Sequence, residues 1–210
     1  MVDSTFLSPW YQNPLALGAD IVMHSATKIL NGHSDVVAGA LMGAKADAFW
    51  ERIRGIRAGS GGILGPFEAY LLMRSLRTLH LRAAAQSAGA LRLAERLSGH
   101  RQVRHVLYPG LPDDPGHAVA RRQMQDGFGY MLSIRVAGGE AGAIATAARV
   151  RLWKRATSLG GVESLIEHRA SVEGPDSPCP PDLLRLSTGI EAPDDLYRDL
   201  DAALGAAHAG

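Results

Sequence analysis

The chain has 210 residues, 46% hydrophobic and 20% charged, and its 22 basic and 21 acidic side chains leave a net charge of +1. Those values suit an ordinary globular protein and give no concentrated basic surface for a polyanion. No apolar stretch reaches the roughly 20 residues needed to cross a bilayer, and no basic-then-apolar leader opens the chain. Cys179 is the only cysteine, so no intrachain disulfide can form. We therefore expect a cytoplasmic protein that uses neither nucleic acid nor membrane as a partner.

Met1 to Phe6 reads as the end of a strand running into a loop. Ala19 to Met23 and Val36 to Met42 are short, β-branched-rich runs bounded by Gly, Asn or Ser, and predict strands. Ala44 to Arg57 has helical spacing, with Ala48, Phe49, Ile53 and Ile56 on one side and Arg52, Arg54 and Arg57 on a solvated face. Gly59-Ser60-Gly61-Gly62 is a loop whose spacing fits neither dinucleotide nor P-loop patterns. Pro66 to Leu97 predicts one long helix. Pro66 suits its first position and Glu68 its first turn, and Gly89 is a candidate bend.

Further along, Val103 to Tyr108, Tyr130 to Val136 and Leu183 to Ser187 read as strands. Pro109 to Pro112 reads as a turn. Gly116 to Gln125, Glu140 to Ala148 and Pro193 to Ala207 read as helices. The pattern is α/β in the first part and α+β in the second. Tyr11, Tyr108 and Trp153 are expected as core or interface aromatics. Cys179, within Ser-Pro-Cys-Pro-Pro, is expected to be an inert loop thiol. His24 and His33 have no partner at metal-ligand spacing, so no metal site is predicted.

The chemistry concentrates in Ala19 to Asp35, ADIVMHSATKILNGHSD. Lys28 follows Ser25 and Thr27 directly after an apolar strand. A lysine so placed can form a Schiff base, with the hydroxyls beside it free to bind phosphate. A surface lysine in a Ser/Thr loop is the other reading. Arg185 stands in an otherwise apolar strand, where it could grip a carboxylate or belong to a structural ion pair.

An ordered set of segments separates these readings. Val2-Asp3-Ser4-Thr5-Phe6, Gln12-Asn13-Pro14-Leu15, Gly18 to Val22, His24-Ser25-Ala26-Thr27-Lys28 and Gly32-His33-Ser34-Asp35 come first. Pro66-Phe67-Glu68-Ala69, Tyr108-Pro109-Gly110-Leu111, Ser158 to Leu165 and Leu184 to Glu191 follow. Together, in this order, they resemble the Cys/Met-metabolism family of pyridoxal-phosphate (PLP) enzymes, which includes cystathionine γ-synthases, cystathionine lyases and methionine γ-lyases.

The resemblance implies the later half of a PLP-dependent transferase of fold type I. Residues 1–84 would be the C-terminal part of the large PLP-binding domain, and 85–210 the small C-terminal domain. It implies β/γ-elimination or γ-replacement on sulfur amino acids or O-acylhomoserine, in a homo-oligomer. By resemblance, Lys28 is the catalytic lysine that carries pyridoxal 5'-phosphate. Asp3 faces the pyridine nitrogen with Thr5 beside it, Ser25 and Thr27 bind phosphate, and Ser158 and Arg185 meet the substrate. The family's earlier half has no counterpart here, which predicts exposed apolar surface. Ser4 stands where Asn is frequent, Ile29 where Tyr is frequent, and Thr157 where transsulfuration members commonly have Glu. The stretch from Glu167 to Leu183 is short for the family. The alternative function is an inactive fragment that serves only as a folded or subunit-association module.

Overall fold

A computed structural model describes residues 1–174 and 176–208. Two sheets organise them. The first has three strands in the order β1 (Val2–Asp3), β2 (Ile21–Ser25), β3 (Gly39–Gly43). β1 and β2 are parallel, β2 and β3 antiparallel. Four-residue α1 (Ser8–Tyr11) follows β1, and α2 (Ala48–Ser60) follows β3. The Asp47 carboxylate caps α2 by accepting from Trp50 N at 2.9 Å, and Gly61 closes it at φ +75°. That geometry explains the boundary: Gly59 and Ser60 continue the helix, and the turn begins at Gly61.

The predicted long helix is two helices, α3 (Pro66–Leu76) and α4 (Leu79–Ser98). The break falls at Arg77 and Thr78 rather than at Gly89. Thr78 donates both its backbone N–H and its hydroxyl to Ser75 O, each at 3.1 Å, and this tight local turn displaces the helical bond. Gly89 has a packing role instead. A Cβ there would lie 3.3 Å from Thr188 Cγ2 and 3.5 Å from Pro193 Cγ, so the missing side chain lets α4 approach the second sheet.

That sheet runs β4 (Val103–Leu107), β5 (Met131–Val136), β8 (Leu183–Ser187), β7 (Leu165–His168), β6 (Lys154–Arg155). All neighbours are antiparallel except the β6–β7 edge. α5 (His117–Gln123), α6 (Gly139–Arg149), α7 (Arg169–Glu173) and α8 (Pro193–Ala207) complete the chain. Leu132, Ile134, Ile166, Leu184 and Leu186 point from the sheet onto Leu93, Leu97, Leu196, Leu200 and Leu204 of α4 and α8, forming the main core. Fully burying one such side chain contributes about 1.5–3 kcal/mol. Tyr108 and Trp153 are in this core. A smaller core gathers Tyr11, Ala26, Ile29, Leu30, Leu79, Ala83, Tyr130 and Leu159. α4 therefore contributes to both.

Arg52, Arg54 and Arg57 lie exposed on α2. So do Phe49 and Ile56, at 60% and 59%, and no residue of α2 is buried. Phe6, Leu17, Val37, Phe67, Tyr70 and Met73 are exposed as well, which concentrates open apolar surface in the first 80 residues. Cys179 is partly covered, and burial pushes its thiol above the ordinary value.

Candidate active site

Two segments that are distant in sequence meet where the cores join. The first is the turn from Ala26 to Gly32, which leaves the C-terminal end of β2 and is closed by Gly32 N donating to Lys28 O at 2.7 Å. The second is the loop from Thr157 to Glu163 that leads into β7. Val162 N donates to Gly32 O at 2.9 Å, and Ser34 Oγ donates to Glu163. Gly160, at φ +75°, comes so close that a Cβ there would sit 2.7 Å from Ile29 N and 2.8 Å from the Tyr130 hydroxyl oxygen. Only glycine supplies both that backbone conformation and that approach.

At this seam the Lys28 ammonium donates to Ser158 Oγ at 3.3 Å, joining groups 130 positions apart. Lys28 and Ser158 are both half-buried. The parallel ends of β1 and β2 carry the remaining first-sheet candidates. Asp3 Oδ1 accepts from Thr5 N at 2.9 Å, and Thr5 Oγ1 accepts from Ser25 N at 2.8 Å. The Ser25 hydroxyl makes no hydrogen bond among the described residues. The Thr27 hydroxyl is engaged differently: it accepts from Ala38 N at 3.0 Å and donates to Ala38 O at 3.3 Å, fastening the approach to β3.

Arg185 lies opposite both Ser133 and Glu167 across the sheet, on the face turned away from the main core. Its Nη2 donates to the carbonyls of Thr157 and Ser158 and pairs with Glu167 at 2.7 Å. The structural ion pair is thus present, and it also braces the Ser158 loop. Glu167 is buried and shared with Arg169 at 3.1 Å. Burial lowers the Arg185 guanidinium from its ordinary value, and Glu167 opposes that shift. Nη1 and Nε of Arg185 make no hydrogen bond among the described residues, so an outside carboxylate could use them.

Grooves flank the seam. One, of about 650 Å³, is lined by Thr27, Asp35, Ser158 and Glu163 together with Lys154 and Arg155 of the edge strand. Another, of about 500 Å³ and mainly apolar, is lined by Asp3, Leu7, Phe128 and Tyr130. The seven residues singled out in the sequence therefore fall into one neighbourhood, with Asp3 on one side and Ser158 and Arg185 on the other. Glu167, Tyr130 and Arg82, the last described below, were not singled out. Their signal was polar residues within otherwise apolar stretches.

The donor set suits pyridoxal phosphate: an amine for an aldehyde, a carboxylate with one oxygen still open for a protonated ring nitrogen, a hydroxyl for phosphate and a guanidinium for a substrate carboxylate. A two-sheet α/β fold with this set at the seam fits the PLP-dependent class of proteins. The chain belongs to the family described as Cys/Met metabolism PLP-dependent enzyme, which matches residues 1–205. Among named relatives, cystathionine gamma-synthase of Mycobacterium tuberculosis is 50% identical over 210 residues, covering 98% of this chain and 54% of that protein. Cystathionine gamma-lyase of Dictyostelium discoideum is 41% identical over 217 residues, covering 97% and 54%. The solved structure of metB from Corynebacterium glutamicum superposes with a TM-score of 0.93 at 44% identity, covering 99% of this chain and 55% of that one. Cystathionine gamma synthase from Xanthomonas oryzae pv. oryzae, in complex with aminoacrylate and cysteine, gives 0.91 at 46% identity, covering 99% and 55%. The fold is that of the matching half of these enzymes. The chain spans about half the length of the curated relatives it matches.

Proposed function

We propose that this chain belongs to a PLP-dependent enzyme that carries out β/γ-elimination or γ-replacement on a sulfur amino acid or an O-acylhomoserine. The observation that carries this reading is the bond from Lys28 to Ser158 Oγ, beside the Arg185 guanidinium, in a chain of this family. Pyridoxal phosphate, when bound, withdraws electrons from the substrate Cα and so acidifies its proton. Lys28 holds the cofactor and, once released, takes that proton and returns it at a neighbouring atom. Asp3 favours the protonated ring nitrogen by its negative charge. Thr5 holds β1 and β2 in register beside it. Ser25 and Thr27 are the proposed phosphate-side hydroxyls; that of Ser25 is unengaged among the described residues, and that of Thr27 would have to leave Ala38. Ser158 orients the Lys28 amine, and Arg185 grips the substrate carboxylate.

We further propose the division into residues 1–84 and 85–210, self-association into a homo-oligomer, and a cytoplasmic setting. No helix among the described residues is long and apolar enough to cross a membrane. A second reading, a folded or subunit-association module without its own activity, draws support from the apolar side chains exposed on the first 80 residues. Incubation with pyridoxal phosphate, borohydride reduction and peptide mass spectrometry decides between the two for this chain. A pyridoxyl adduct concentrated on Lys28, with exposed Lys45 and Lys154 as internal references, supports the cofactor reading. Label spread evenly over the three lysines, or absent, supports the module.

A further inference from the structure

Arg82 is 5% exposed, and no carboxylate pairs with it among the described residues. Its donors go to neutral oxygens. Nη1 donates to Ile29 O at 2.8 Å, and Nη2 donates to Leu30 O at 3.2 Å and Ser75 O at 3.0 Å. Nε donates to Thr78 Oγ1 at 3.2 Å. Ile29 and Leu30 are the two residues that follow Lys28. Gly32, at φ +68°, makes room for this guanidinium, since a Cβ there would lie 2.1 Å from Nη1.

One helical turn further along α4, fully buried Gln86 donates to Gly161 O at 2.8 Å and to Thr188 O at 3.2 Å. Gly161 is in the loop that carries Ser158, and Thr188 directly follows β8, which carries Arg185. Residues four apart on a helix share a face. The same face of α4 therefore holds the backbone after Lys28 with one side chain and the backbone after Ser158 with the next. A buried cation without a counter-charge is an expensive way to fill space. What it obtains is a multi-point hold on carbonyls that an apolar side chain could not grip.

We infer that Arg82 and Gln86 are positioning residues, spaced by one turn of α4, that set the distance between the Lys28 amine and Ser158. The inference rests on the proposed role of Lys28, but its test uses no cofactor. Neither residue touches the reacting atoms. Each acts through the backbone of a group that does.

The experiment is reductive methylation of the 210-residue chain with limiting formaldehyde and cyanoborohydride, followed by peptide mass spectrometry. Lys28, half-buried and hydrogen-bonded, reacts more slowly than exposed Lys45 and Lys154, which serve as references. In Arg82→Met and Gln86→Leu the Lys28-to-Lys45 rate ratio rises about threefold or more, as expected when local opening releases a held group, while Lys154-to-Lys45 stays constant. Leu204→Ala, a core truncation in α8, lowers overall stability without moving the Lys28 ratio. Should Arg82→Met not fold, Thr78→Val removes the Nε acceptor, together with the hydroxyl's own bond to Ser75 O, and gives a smaller rise in the same direction. An unchanged Lys28 ratio in the folded Arg82→Met or Gln86→Leu chain, in the folded Thr78→Val chain where Arg82→Met does not fold, or an equal rise in Leu204→Ala, overturns the inference. If pyridoxal phosphate does not label Lys28 but the ratio moves as stated, the positioning stands and the cofactor reading fails for this chain.

Discussion

Replacing Gly160 by alanine tests the seam between the two segments directly. The residue sits at φ +75°, and an added Cβ would fall 2.7 Å from Ile29 N, 2.8 Å from the Tyr130 hydroxyl oxygen and 3.1 Å from Ile29 Cα. Two of these atoms are backbone and cannot rotate away, and Tyr130 is fully buried. The left-handed conformation costs alanine about 1–2 kcal/mol, and forcing a methyl into filled space adds about 1–3 kcal/mol. The sum is about 2–5 kcal/mol, a large part of the stability of a typical domain. Gly61 is the matched control. It has the same φ of +75° and nothing within 4 Å of its Cβ position, so Gly61→Ala carries only the backbone cost. Urea unfolding followed by circular dichroism gives both losses under identical conditions. Gly160→Ala is expected to lose at least about 1 kcal/mol more than Gly61→Ala. Equal losses would mean that the loop does not press on the Lys28 turn, and the site as described would be wrong.

Two further outcomes follow from buried polar groups. Glu167→Ala leaves Arg185 and Arg169 facing each other without their shared carboxylate. With both guanidiniums partly exposed, the loss should be about 2–3 kcal/mol in urea, below the full cost of a deeply buried pair, and a loss under 0.5 kcal/mol would refute the shared role. Burial pushes Tyr108 up to about 12 from an ordinary 10, and raises Tyr11 and Tyr130 as well. Above pH 10 the unfolded chain releases phenolic protons that the folded chain keeps, so stability falls as pH rises from 10 toward 12. Ultraviolet titration should show these three phenols silent until the chain unfolds. Smooth titration of all tyrosines in a folded chain would contradict their burial.

The last strand and the last helix were readable residue by residue. Leu183–Ser187 and Pro193–Ala207 coincide with their predicted spans, because strong periodicity and a helix-initiating Pro193 set both the type and the ends. β2 lies two residues beyond its expected start, and β3 covers only the later part of Val36 to Met42. There Thr27 takes both backbone groups of Ala38 and delays the ladder. The short elements α1, β6, β7 and α7 were missed. β7 is a run of four buried residues that includes Glu167 and His168, so no alternation marks it. The break at Thr78 was hidden for a related reason: the apolar spacing carries across it, and only the threonine's bonds to Ser75 stop the helix.

The candidate site was legible as a set of residues and not as a geometry. Lys28, Ser158 and Arg185 were expected to share a pocket. That Arg185 would be paired with Glu167, or that the Thr27 hydroxyl would be spent on Ala38, depends on cross-strand register and loop path. Arg82 and Gln86 could have been suspected, since they interrupt the face of α4 that carries Leu79, Ala83 and Ala90. The partners of such residues come from elsewhere in the chain.

α4 also bears on how the chain comes apart. Leu79 and Ala83 belong to the smaller core, and Ala90, Leu93, Ala94 and Leu97 to the larger. A helix gains most of its stability from the face it buries, so neither core can lose its layer without weakening the helix that the other also needs. Cooperativity is thereby written into a single element. The two sheets, which share no strand, are coupled through one helix.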